Sequence, residues 1–180
     1  GRTSAGANSQ KNKAVSRKSA KERPPKGPVW QWSALQTAAA IRSGAIPSTE
    51  VIEAHIARMR DVNPKLNAVV VDLSEEALRA SKAADNARTK QRELGPLHGV
   101  PVAIKEEIDV AGTVTTFGGE ANTTPATADA EVVRRLRAAG AVVVGKTTMP
   151  EFGAFPFTES DSRGVTRNPW DPTRTPGGSS

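Results

Sequence analysis

The sequence predicts an α/β protein in which a helical first half runs into a strand–helix–strand unit. Apolar side chains recur at helical spacing behind cap residues between positions 33 and 92. After Gly95, two short apolar runs flank one amphipathic segment, the pattern of parallel strands joined by a crossover helix. None of the 180 residues is cysteine, which excludes a disulfide framework, a thiolate metal site and a cysteine nucleophile.

Residues 1–28 hold eight Lys or Arg against the single acid Glu22, with one Val and no Leu, Ile or aromatic. Such a segment buries too little apolar area to offset its ordering entropy, so a disordered basic tail is expected, with residues 29–180 as the folded unit. The formal net charge of +6 belongs to that tail, because the remainder carries 17 basic and 18 acidic side chains. A solvated extension is the plain reading of the tail; a phosphate-binding arm or a transit peptide are the alternatives. There is no secretory apolar region and no run near the roughly 18–20 residues of a membrane span, so a cytoplasmic protein without a membrane partner is expected.

Ser33 and Gln36 form a capping box that opens a helix through Ser43, and Gly44 stands where the chain leaves it. Ser48 or Thr49 starts a second helix, with Ile52, His55, Ile56 and Met59 on one face and Pro64 beyond its end. His55 on that stripe reads as a packed histidine rather than a ligand. His98 is the only other histidine, and neither a metal nor a cofactor is expected. A third, alanine-rich helix runs from Ser74 to about Arg92 and stops before Gly95-Pro96.

Gly99–Ile104 reads as a short buried strand ending at Lys105, followed by an irregular stretch with a hairpin around Val110–Thr113. Asp129 then caps a helix with Val132, Val133 and Leu136 on one side, closed by Gly140. Ala141–Val144 forms the second buried strand.

Three features invite chemistry. Gly140–Thr147 satisfies the phosphate-loop expression G-x-x-x-x-G-K-T, but Ala141 and three valines fill its variable positions and make a strand where a loop is needed. Pro150 also falls where the phosphate-binding helix should run, so a nucleotide site is not expected. Lys105, at a strand end, is ordinarily a solvated terminator. As a neutral general base it would need burial, which Val102, Ala103, Ile104 and Ile108 favour and the adjacent Glu106 and Glu107 oppose. The closing Thr175–Ser180 run is either a flexible Gly/Ser tail or a backbone that brings two hydroxyls close to a reacting centre.

Taken together, residues 95–112 (GPLHGVPVAIKEEIDVAG), 129–153 (DAEVVRRLRAAGAVVVGKTTMPEFG) and 164–180 (GVTRNPWDPTRTPGGSS) closely resemble the amidase signature family, from about Trp32 onward. The resemblance implies the N-terminal portion of an α/β amidase-signature fold, a mixed β-sheet flanked by helices. It also implies amide hydrolysis by a Ser-Ser-Lys triad without a cofactor. Lys105 matches the catalytic lysine, Ser179 the bridging serine held by a cis peptide, and Ser180 the serine that supports the hydrogen-bond network. The Met149–Phe155 loop resembles the segment lining the acyl pocket, with Gly153 near the substrate.

The family commonly has Asp-Asn after the lysine, whereas Glu106-Glu107 stand here. The acylated serine and the glycine-rich oxyanion loop lie further along in the family, so these 180 residues alone are expected to be inactive. The expected partner is a small-molecule amide; nucleic acid concerns the tail alone, and a homodimer is left open. Two other readings stand beside amide hydrolysis. One is the glutaminase subunit of a tRNA-dependent amidotransferase, which shares the three motifs. The other is a truncated, catalytically inactive protein whose basic tail binds a partner.

Overall fold

The computed structural model describes residues 25–179, so the expected disorder of the tail lies, apart from Pro25–Pro28, outside the described residues. The first α-helix among the described residues, α1, spans Ala34–Ser43. Its capping box is complete: Ser33 Oγ accepts from the Gln36 N–H at 3.2 Å, and Gln36 Oε1 accepts from the Ser33 N–H at 2.8 Å. Gly44 ends the helix at φ 74°, a left-handed conformation that glycine adopts at little cost.

Helix α2, Ser48–Leu66, has no cap from its own side chains. Its first turn is instead completed by Asp85, whose carboxylate accepts from the backbone N–H groups of Ser48 and Thr49 and from the Thr49 hydroxyl. A carboxylate there satisfies free N–H groups and complements the positive end of the helix. Pro64 lies inside the last turn rather than beyond it, and the helix closes at Asn67 in the left-handed region. The exit is held by Asn63, whose Oδ1 accepts from the Ala68 and Val69 N–H groups.

The Asn63 contacts feed a strand that the sequence reading did not anticipate, β1, Val69–Asp72. Asp72 then accepts from the Ser74 backbone and hydroxyl at the start of α3, Ser74–Thr89. This helix ends short of Arg92, with Gln91 at φ 53°.

Strand β2, Pro101–Lys105, is joined through α4, Glu131–Ala138, to β3, Val142–Thr147, and the two strands pair in parallel as expected. Asp129 does not cap α4, which begins after Ala130 without a side-chain cap. Its carboxylate is engaged by the Ala111 N–H at 2.9 Å and by Arg137. Val132 is exposed, because successive helical residues lie about 100° apart and the buried stripe passes through Val133.

The sheet order is β1-β3-β2, with β1 antiparallel to β3, so the sheet is mixed and β3 is its centre. Val142 packs with Ile52, Ile56 and Ala77 of the helices, whereas Val143 packs with Ile104, Val110 and Val133. This alternation lets one strand serve two cores. β3 runs three residues beyond the expected Val144, which places Gly145, Lys146 and Thr147 within a strand and leaves no phosphate-cradling loop. A Cβ on Gly145 would lie 2.6 Å from the Val71 carbonyl oxygen, so only glycine admits β1 this closely. A short hairpin, β4 (Glu159–Ser160) with β5 (Gly164–Val165), then returns the chain toward the sheet. Among the described residues, no helix is long and apolar enough to cross a membrane.

Candidate active site

Lys105 and Ser179, 74 residues apart in the sequence, are brought together in the fold. Lys105 closes β2, where the parallel register sets it beside Thr147. Ile104 points into the core while Ala103 is exposed and Lys105 half-buried, so the alternation of the strand turns the lysine outward from the apolar interior. Its Nζ lies 3.3 Å from Ser179 Oγ and 3.0 Å from Glu107 Oε1.

The two glutamates that follow Lys105 divide. Glu107 pairs with the lysine. Glu106 is only 1% exposed and turns into the protein, where its carboxylate accepts from the Thr116 N–H, the Thr116 hydroxyl at 2.8 Å and the Gly118 N–H at 3.0 Å. Of the two carboxylates, Glu107 is the one that makes a direct contact with Lys105.

Ser179 is delivered by the segment that follows β5. Thr166 fixes this segment: its N–H donates to the Thr158 carbonyl at 3.0 Å and its hydroxyl donates to the Asn67 carbonyl at 2.8 Å. Thr158 in turn donates its hydroxyl to the Gly177 carbonyl at 2.8 Å. The Gly178–Ser179 peptide is cis. A Cβ on Gly178 would stand 3.1 Å from Thr158 Oγ1 and 3.2 Å from the Phe155 carbonyl, a slot sized for glycine. Gly153 faces the same hydroxyl: at φ 65°, a Cβ there would lie 3.2 Å from Ser179 Oγ. Lys105, Ser179 and Gly153 thus meet at one place. Ser180 lies outside the described residues.

Around this point the Met149–Phe157 segment exposes aromatic rings. Phe152 stacks with Phe117 at a centroid separation of 6.4 Å, and Phe155 stacks with Phe157 at 5.4 Å. All four are more than a third exposed, an apolar surface of the sort that lines binding sites.

Several features escaped the sequence reading. Glu106 was seen only as a charge beside Lys105, and Thr158 and the aromatic pairs were not singled out. Lys146 of the phosphate-loop expression is 0% exposed and donates to Thr115 Oγ1 at 3.0 Å, with longer contacts to Thr113 Oγ1 and the Val114 carbonyl. Burial pushes its pKa below the usual lysine value, while the negative charges of Glu106 and Asp109 oppose the shift. The signal for Glu106 was its place one residue after an outward-facing strand position, which directs it inward. His55 is half-buried with Nδ1 2.8 Å from the Val51 carbonyl of its own helix, in keeping with a packed side chain.

Comparison with known proteins gives concordant results. The profile of the family described as Amidase matches residues 50–180. An indoleacetamide hydrolase of Bradyrhizobium diazoefficiens is 60% identical over 157 residues, which are 87% of this chain and 30% of that protein. A glutamyl-tRNA(Gln) amidotransferase subunit of Chloroflexus aurantiacus is 44% identical over 144 residues, 79% of this chain and 29% of the relative. Among solved structures, a bacterial aryl acylamidase of the amidase signature enzymes superposes with a TM-score of 0.80 at 27% identity, covering 85% of this chain and 32% of the other. The chain thus spans about a third of the length of the proteins it matches, and the mixed sheet with its flanking helices is part of their fold. On the match over residues 50–180, this chain belongs to the Amidase family.

Proposed function

We propose that this chain contributes the lysine and the bridging serine of an amide hydrolase acting on a small carboxamide or an aryl amide. The single observation that carries the reading is the 3.3 Å approach of Lys105 Nζ to Ser179 Oγ across 74 residues of sequence. A hydroxyl donates and accepts at once, so Ser179 can pass a proton between two groups. In the proposed sequence, neutral Lys105 takes the Ser179 proton while Ser179 takes one from a nucleophilic hydroxyl, which we assign to the region beyond Ser180. That oxygen attacks the amide carbonyl, the C–N bond breaks with the amine leaving protonated, and water then hydrolyses the ester. Ser180 supports the hydrogen-bond network, and Gly153 leaves the close approach that a bound acyl group needs.

The exposed Phe117–Phe152 and Phe155–Phe157 pairs support an aromatic or otherwise apolar acyl group, as does similarity to an indoleacetamide hydrolase. The test is ammonia release from indoleacetamide by the full-length protein, by Lys105→Ala and by Ser179→Ala. Loss in both variants is expected, and near-unchanged hydrolysis in both would refute the reading. A chain ending at Ser180 is expected to release none.

The 44% identity to the Chloroflexus amidotransferase protein favours a second reading, a glutaminase that works with partner subunits. Ammonia release from glutamine that requires those subunits, with no hydrolysis of indoleacetamide, would select it.

A further inference from the structure

Two buried charges, Lys146 on β3 and Glu106 just past the end of β2, grip one loop. Lys146, beside Ile104 in the sheet register, donates to the first half of the loop at Thr113, Val114 and Thr115. Glu106, pinned to the sheet by its N–H to the Thr147 carbonyl, accepts from the second half at Thr116 and Gly118. Burying a charge is expensive, and a carboxylate with three donors fixes whatever carries those donors.

What the loop carries is the underside of the site. The Phe117 carbonyl accepts from the Phe152 N–H at 2.8 Å. Gly118 is pressed on the same turn: a Cβ there would lie 2.7 Å from the Met149 oxygen and 2.8 Å from the Pro150 oxygen. Phe152 precedes Gly153, whose Cα faces Ser179 Oγ. The line of contact therefore runs from Glu106 through Gly118 and Phe117 to Phe152, Gly153 and Ser179. Lys105 and Glu106, neighbours in sequence, reach Ser179 from two sides, one directly and one through this loop.

We propose that Glu106 is a positioning residue: through the 113–118 loop it holds the Phe152–Gly153 turn against Ser179 and so sets the Lys105–Ser179 contact, with Lys146 securing the loop's other half. The proposal rests on the assignment of Lys105 and Ser179 to amide hydrolysis, and it extends that assignment to a residue that touches neither substrate nor the reacting atoms.

The test is Glu106→Gln in the full-length protein, because an amide has one acceptor oxygen and its NH₂ cannot accept from the Gly118 N–H. Hydrogen exchange is read at Gly118 and Phe152, with the Val142 N–H, bonded to the Val100 carbonyl at 2.8 Å, as the reference for global folding. Exchange should rise about tenfold or more at both Gly118 and Phe152, and kcat should fall by about tenfold or more with KM within about threefold, while Val142 is unchanged. Glu106→Asp, which keeps the charge and both acceptors, should recover part of the kcat loss. Faster exchange confined to Gly118, or an unchanged kcat in an active enzyme, would overturn the proposal and leave Glu106 a purely local contact. If Glu106→Gln loses Val142 protection as well, Thr116→Val removes one donor to the carboxylate, and unchanged Phe152 exchange in that variant would overturn the proposal too. If the wild-type protein hydrolyses no amide, the amide-hydrolase reading falls. The Gly118 and Phe152 exchange pair then decides the positioning claim by itself.

Discussion

Lys105 and Lys146 stand on neighbouring strands one residue apart in register, yet they differ in exposure and in whether a carboxylate pairs with them. The Lys105 side chain is 22% exposed and meets a hydroxyl and a carboxylate. Lys146 is fully enclosed, and its hydrogen-bond partners are two hydroxyls and a carbonyl. The alternation of a strand is enough to separate them: one lysine is delivered to an open site, the other to the interior. The phosphate-loop expression marks Lys146, yet it is Lys105 that the fold brings to Ser179.

The sharpest break of that comparison is the pair of methionine variants in the full-length protein. Lys105→Met should lower kcat for amide hydrolysis by about 10²–10⁴-fold, the range for losing a general base. Lys146→Met should lower it by about tenfold, through the loop alone. Equal losses would erase the distinction between the two lysines.

Gly153→Ala tests how closely the open site is fitted. The left-handed backbone disfavours a Cβ by about 1–2 kcal/mol, and that Cβ would press on Ser179 Oγ. Thermal unfolding should register the first effect and kcat the second; a variant as active as wild type would show that the 3.2 Å approach is not needed. Asp85→Ala is the control remote from both lysines. Loss of the acceptor at the start of α2 should cost about 1–2 kcal/mol in denaturant unfolding while activity per folded molecule is retained.

The smallest effect is the pH dependence of Lys146. Its pKa is lowered in the folded chain, so between that value and the ordinary lysine value of 10.5 the unfolded chain binds more protons. Stability relative to Lys146→Met should therefore rise with pH across that window and be flat below it. A falling difference would mean that the fold favours the ammonium form.

The parts of this molecule that were legible in the sequence are those decided locally. The capping box at Ser33 and Gln36, the Gly44 exit and the parallel pairing of β2 with β3 follow from residues close together or from one crossover. β1 was not legible, because Val69–Asp72 carries no turn signal and pairs with a strand some 75 residues later. The cap of α2 was missed because its acceptor, Asp85, belongs to another helix. At the site, Lys105, Ser179 and Gly153 were named from family resemblance, and no spacing rule joins them. Glu106 and Glu107 look alike in a string of charges, and only the direction of the strand tells which one turns inward.

The central claim is that Lys105 and Ser179 act as a unit, and a double-mutant cycle on kcat tests it most directly. Groups that act in one relay lose their effect together, so Lys105→Met combined with Ser179→Ala should be no slower than the slower single variant. Losses that multiply in the double variant would mean that the two side chains act independently, which would contradict the claim.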